Sequence, residues 1–188
     1  RNFTTISEKL KAHEVVEMLN TYFSQVCEPI LIEGGTVDKF IGDAIMAVFG
    51  SPVAYPDHAA RAVRASLAMA EKAREFRGWL ARRFAGRDLP VFNIGIGLHT
   101  GEAVVGNIGS PKRMNFTSIG DTVNTASRLE GKTKELACMI LASADTVSAA
   151  GKNRVRTGKT AQLMVKGKNI PVDVLEVVDR VLFLENLG

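Results

Sequence analysis

The chain has 188 residues, 46% of them apolar and 23% charged, with a formal net charge of +4. That is enough for one domain with a sizeable core and too little for two comfortable ones, and the composition is ordinary for a soluble globular protein. The mild positive balance suits an anionic ligand but is equally common in proteins that bind none.

Cys27 and Cys138 lie far apart with no C-x-x-C spacing. This excludes a zinc ribbon, argues against a disulfide scaffold and predicts a reducing, cytoplasmic setting. No signal-peptide pattern is present, and no apolar run approaches the roughly 18 residues that span a bilayer. Residues 1–5 carry no Met and read as the inside of an element, so a sensor domain or membrane anchor ahead of them would leave no trace here.

From residue 7 to about residue 32, Leu10, Val15, Met18, Leu19, Tyr22, Phe23 and Val26 recur at helical spacing. Ser7 is the expected N-cap and Gly34-Gly35 the stop. Two short strands over 36–41 and 44–49 follow, joined at a glycine turn. The second is apolar on both faces, as in a central buried strand. Gly50, Pro52 and Pro56 mark a loop. A long helix is expected over 57–84, with Ala60, Val63, Leu67, Ala70, Phe76, Leu80 and Phe84 as its stripe. Its arginine-rich face reads as solvated, with a phosphate or partner surface as the minor alternative. Residues 91–98 and 102–108 read as a hairpin around His99-Thr-Gly101. A helix over 121–136 comes next, then strands or short helix over 139–142, 144–149, 155–165 and 172–178. The order βαββαβ with additions predicts an α+β, ferredoxin-like mixed sheet with helices packed on one side. Residues 1–188 are expected to form a single domain, with 179–188 as a tail.

Three segments carry chemistry. In Val37-Asp-Lys-Phe-Ile-Gly-Asp-Ala-Ile-Met-Ala-Val-Phe49, Asp43 follows the turn glycine and opens an apolar strand. A carboxylate there must be solvated, paired or bound to a cation; a simple turn cap is the plainer reading. Lys39, inside the preceding strand, is the kind of side chain that usually snorkels. In Arg113-Met-Asn-Phe-Thr-Ser-Ile-Gly-Asp-Thr-Val-Asn-Thr-Ala-Ser-Arg-Leu129, Asp121 is the expected helix N-cap. Asn124 and Arg128 then share one face and can converge on one object, with Arg suited to phosphate oxygens. An exposed Asn and Arg pair with no ligand is the plainer reading. In Val165-Lys-Gly-Lys168, a strand-end lysine can reach a phosphate as a point charge, or the segment is only a hairpin turn.

Together, in this order, these segments resemble the catalytic domain of the class III adenylyl and guanylyl cyclases. The resemblance runs from the first residue to about Val178. It rests on Arg1-Asn-Phe-Thr-Thr-Ile-Ser-Glu8, Asp38-Lys-Phe-Ile-Gly-Asp-Ala-Ile-Met-Ala-Val-Phe49, Gly95-Ile-Gly-Leu-His-Thr-Gly101, Ile119-Gly-Asp-Thr-Val-Asn-Thr-Ala-Ser-Arg-Leu-Glu130 and Val165-Lys-Gly-Lys168. It implies a head-to-tail homodimer whose two active sites lie across the interface, with two Mg²⁺ (or Mn²⁺) ions at each. One chain would offer Asp43 as metal ligand and the amides near Phe3 and Thr4 to the terminal phosphates. The other would offer Lys39 and Thr117 to the base, Asn124 to the ribose, Arg128 to the reacting phosphate and Lys166 to the triphosphate tail. It also implies a second metal-binding Asp and a first strand just ahead of Arg1.

Lys39 donates to an acceptor, as adenine presents at N1, and a Thr117 hydroxyl can accept from the 6-amino group. Guanylyl members tend to place Glu at the lysine position, so ATP is the expected substrate and cyclic AMP the product. Many members carry Asp at the Thr117 position. The Lys–Thr pairing resembles a subgroup of mainly bacterial and soluble animal enzymes, several of which respond to bicarbonate or CO₂. An upstream sensory or regulatory domain is also expected, and nucleic acid is not an expected partner. The alternatives are an inactive cyclase-like regulatory domain, which usually loses the metal Asp or the Asn–Arg pair, and a guanylyl cyclase. The turn Phe40-Ile-Gly-Asp43 lacks the Gly-Gly-Asp/Glu-Glu-Phe signature of diguanylate cyclases. His13, His58, His99 and Trp79 are expected to be structural.

Overall fold

The computed structural model describes residues 1–164 and 171–180. In chain order the elements are α1 (Phe3–Glu8), α2 (Ala12–Ile32), β1 (Thr36–Ile41), β2 (Ala44–Val48), α3 (His58–Arg83), β3 (Ile96–Leu98) and β4 (Val104–Ser110). They continue with β5 (Arg113–Ile119), α4 (Asp121–Glu135), β6 (Ile140–Ser143), α5 (Ala144–Ala150), β7 (Val155–Leu163) and β8 (Val172–Arg180). No described helix is long and apolar enough to cross a membrane.

The single helix expected from Ser7 is two helices. Ser7 lies inside α1, where its hydroxyl donates to the Thr4 carbonyl at 2.8 Å, so it does not cap α2. The chain breaks at residues 9–11, where Lys11 takes up extended backbone. Glu14 fixes that corner, accepting the Lys11 N–H at 2.7 Å and pairing with Arg87 at 2.8 Å. The Lys11 amide, helped by Arg87, holds the Glu14 carboxyl below the usual carboxylate range. Leu10 packs on the same cluster as α2. The apolar period therefore runs across the break and hides it.

α2 and α3 pack along their stripes, with Met18, Tyr22 and Val26 against Ala73, Phe76 and Leu80. Tyr22, Phe76 and Phe92 meet there at ring separations of 4.9 to 5.4 Å. The basic face of α3 is largely neutralised by neighbours: Arg61 by Asp57, Arg64 by Glu33, Lys72 by Glu28 and Arg83 by Glu17.

The main sheet has four strands in the order β3-β6-β8-β7, with β3 parallel to β6 and the other pairs antiparallel. β6 is buried at every position. Its alternation sends Ile140 and Ala142 toward α3 and α5 and Leu141 toward Leu129 of α4. Helices therefore cover both faces of this sheet, not one as expected, although the α+β class stands. The expected hairpin over 91–98 and 102–108 is absent. β3 is only three residues long and pairs with β6, while β4 pairs with β5. At the end of β3, His99 Nδ1 lies 2.9 Å from the Ser143 hydroxyl, which ties β3 to β6 and leaves the following chain to form its own ribbon. β8 extends to Arg180, so the expected tail boundary at 179 falls inside a strand.

β1 and β2 form a separate two-stranded ribbon. β2 is half-buried, not the fully buried central strand its composition predicts. Ile45 turns into the α2–α3 cluster, while the other face is covered only in part. The β1–β2 and β4–β5 ribbons together expose Phe40, Ile41, Val104, Met114, Phe116 and Ile119.

Candidate active site

The turn of the β1–β2 ribbon has two residues, Gly42 and Asp43, with Ile41 opposite Ala44. Gly42 sits at φ +62, and Asp43 is not among the positive-φ residues. That is the type II′ pattern, whose twist matches a hairpin and whose first position favours glycine. Asp43 is thereby held at the ribbon tip. Among the described residues its side chain makes no hydrogen bond or ion pair, but its charge reaches the core. Burial pushes the Tyr22 phenol well above its ordinary value, and the Asp43 carboxylate adds to the rise.

Further along the same ribbon, Val37 pairs with Ala47 and Lys39 with Met46, so Asp38 is an extra residue in a β-bulge. A bulge bends its strand and re-aims side chains. Here the Asp38 carboxylate turns toward β5. Its Oδ2 accepts from the Thr117 hydroxyl at 2.8 Å and from the Ser118 amide at 2.9 Å. Its Oδ1 lies 3.6 Å from the Lys39 ammonium. Lys39 and Thr117, chosen from separate motifs, are thus gathered around one carboxylate.

α4 presents the second pair. Thr125, Leu129 and Thr133 are buried along one stripe, which leaves Asn124 exposed and Arg128 half-buried on an adjoining strip of the same helix. Asp121 is the first helical residue, not the cap; Gly120 takes that position and no side chain caps the end. The depth of α4 is set by β3. A Cβ on Gly97 would strike the backbone of Ala126 and Glu130, and one on Gly95 would strike Thr133. Gly97→Ala is therefore expected to cost about 1–3 kcal/mol, as overpacking does, and to displace Asn124 and Arg128. Gly106→Ala, which meets nothing within 4 Å, is the control. Urea unfolding of the two variants checks this.

The amides of Phe3 and Thr4 open α1, where Asn2 takes a left-handed conformation at φ 65. Lys166 lies outside the described residues. The residue that sequence reasoning passed over is Asp38. Like Asp43, it is a carboxylate within an apolar run, and that signal is present in the sequence.

Divalent metal fits this arrangement through one group. Asp43 offers the hard carboxylate oxygens that Mg²⁺ takes, and Mg²⁺ commonly binds through one or two carboxylates together with substrate phosphates. Among the described residues, no group of three or more His, Cys, Asp or Glu side chains is gathered that could form a cage by itself.

The four-stranded sheet in the order β3-β6-β8-β7, its packed helices and the two flanking ribbons define a nucleotidyl cyclase fold. The family model of the adenylate and guanylate cyclase catalytic domain matches residues 1–177, and the chain belongs to that family. Adenylate cyclase 1 of Rhizobium meliloti (strain 1021) is 41% identical over 177 residues, 94% of this chain and 26% of that protein. The crystal structure of the adenylyl cyclase CyaB from P. aeruginosa matches with a TM-score of 0.85 at 36% identity, covering 100% of this chain and 92% of that one. A guanylyl cyclase crystal structure matches with a TM-score of 0.83 at 37% identity, covering 94% of this chain and 86% of that one. The chain spans between 8% and 35% of the length of the curated cyclases it matches. Adenylyl and guanylyl structures are alike to it in nearly equal measure, so the choice of base falls to individual residues.

Proposed function

We propose that this domain is an adenylate cyclase. It would convert ATP to 3′,5′-cyclic AMP and pyrophosphate at sites shared between two copies in a head-to-tail homodimer. The observation that carries the reading is the pairing of Lys39 with Thr117 around Asp38. Together they offer a donor and an acceptor, the complement of adenine N1 and its 6-amino group. Guanine presents the reverse pattern and would leave both polar groups mismatched.

Domains of this family generally use divalent metal ions and act on nucleotides as dimers. In this chain Asp43 would hold the metal, two Mg²⁺ or Mn²⁺ ions per site. When bound, such ions lower the pKa of the ribose 3′-hydroxyl and stabilise the triphosphate and its leaving group. The protein groups do the rest. Asn124 orients the ribose so that its 3′-oxygen faces the α-phosphorus in line with the departing pyrophosphate. Arg128 donates to the α-phosphoryl oxygens as negative charge builds on them. The amides of Phe3 and Thr4, and Lys166, bind the outer phosphates. A second copy is also what would cover the apolar side chains exposed on the two ribbons, such as Phe40 at 50% and Ile41 at 61% exposure.

The test is turnover of ATP and GTP by the purified protein with Mg²⁺ or Mn²⁺, with products separated chromatographically. Preferential formation of cyclic AMP is expected. Absence of any cyclic product, or preference for GTP, overturns the assignment. Lys39→Met, which removes the donor to adenine N1, is expected to lower kcat/KM for ATP about tenfold or more. GTP, whose N1–H gains nothing from an ammonium, should be much less affected.

A further inference from the structure

We infer that Asp38 is a positioning residue that sets the purine selectivity of the site, by fixing the Thr117 hydroxyl proton and anchoring the Lys39 ammonium. The inference rests on the assignment of Lys39 and Thr117 to the base and deepens it.

In a regular strand, residues 38 and 39 would point to opposite faces. The bulge between Val37 and Lys39 removes that constraint, and both side chains reach the same place. The Asp38 side chain is only 4% exposed, against 40% for Lys39. Its Oδ2 takes two hydrogen bonds from β5, while its Oδ1 is buried with no hydrogen bond at all. A buried carboxylate oxygen without a donor is costly. The Lys39 ammonium at 3.6 Å is the charge that offsets the cost, and the attraction draws a long, flexible side chain toward one position.

The consequence for Thr117 is sharper. A free hydroxyl can donate or accept and would tolerate either purine. An ionised carboxylate only accepts, so Asp38 commits the single Thr117 proton to itself. The Thr117 oxygen can then only accept from a ligand. It suits the adenine 6-amino group and rejects guanine O6, which needs a donor. Selectivity is therefore set by Asp38, which need not touch the nucleotide. A purely structural clasp between β1 and β5 would predict something else: weaker folding and an equal loss with both nucleotides.

The experiment compares kcat/KM and equilibrium binding for ATP and GTP in the wild type, Asp38→Ala, Asp38→Asn and Lys39→Met proteins, with thermal unfolding of each. Asp38→Ala frees the Thr117 proton and releases Lys39. It is expected to lower the ATP:GTP ratio about ten- to hundredfold, chiefly through weaker ATP binding. Asp38→Asn keeps an acceptor for Thr117 and Ser118 but loses the charge beside Lys39, and its ratio should fall between wild type and Asp38→Ala. An unchanged ratio in a folded Asp38→Ala protein, with both nucleotides losing equally, overturns the proposal. If Asp38→Ala does not fold, Asp38→Asn carries the test: a fall of about tenfold supports it, and an unchanged ratio overturns it. Lys39→Met separates the two levels. If it lowers the ratio while the Asp38 variants do not, the base assignment survives and the positioning role fails. If none of the variants changes the ratio, the base assignment itself fails.

Discussion

Arg128→Ala is expected to lower the rate of cyclic AMP formation by about 10²–10³, with KM for ATP nearly unchanged. The expectation follows from where charge appears. Attack on the α-phosphorus loads negative charge onto phosphoryl oxygens that carry less of it in bound ATP. A guanidinium in place beforehand therefore stabilises the transition state more than the ground state. Arg128 is suited to this because α4 is locked down: Leu129 is fully buried, and Gly95 and Gly97 let the helix lie close. Little reorganisation is left to be done when the charge develops. Arg128→Lys should recover only part of the rate, since an ammonium is a point charge without the planar fork. Steady-state kinetics on the folded variants checks both. A variant that raises KM while leaving kcat intact would show that Arg128 acts in binding and not in the chemical step.

Asp43→Ala is expected to be at least as damaging, because it removes the one carboxylate assigned to the metal, and the pair of variants tests the shared site directly. In the proposed two-fold dimer each site would take Asp43 from one copy and Arg128 from the other. Mixing the two inactive proteins makes heterodimers in which one site lacks both groups and the other lacks neither. Equal mixing gives half heterodimers, each with one good site of two, so activity should return to about a quarter of the wild-type level. Activity is measured against the ratio of the two chains, with heterodimers confirmed by differential tagging. No recovery despite confirmed heterodimers rejects the shared site.

The placement of these residues on their elements was largely legible in the sequence, for identifiable reasons. Gly42 followed by Asp43 between two apolar runs permits few structures other than a tight hairpin, so the tip carboxylate could be placed. Asn124 and Arg128 sit four apart in a segment whose buried stripe has helical spacing, and that fixes them on one side of α4. The long stripe of α3 gave its bounds to within a residue at each end.

What could not be read has equally definite causes. Leu10 kept the apolar period going through the break between α1 and α2. Strand alternation identifies residues facing a core but not which strand lies alongside, so β3 was given the neighbour next in sequence when its ladder partner is β6, more than forty residues further on. The four-residue run of β6 was too short to declare burial on both sides. Asp38 is, like Asp43, a carboxylate within an apolar run, but the bulge that turns it toward β5 leaves no mark in a period of two.

Among the described residues, the β1–β2 ribbon meets the rest of its own chain through the Phe23–Phe40 stack at 4.2 Å, Ile45 in the α2–α3 cluster and the Asp38 grip on β5. Its two strands are paired from Thr36 to Ile41, interrupted only by the bulge at Asp38, so the ribbon is expected to tilt as one unit. Any tilt imposed at the base of α2 would swing Lys39 and Asp43 together. In the dimer proposed above, where Lys39 and Asp43 would serve opposite pockets, a single small motion would reach both centres at once and keep them in step.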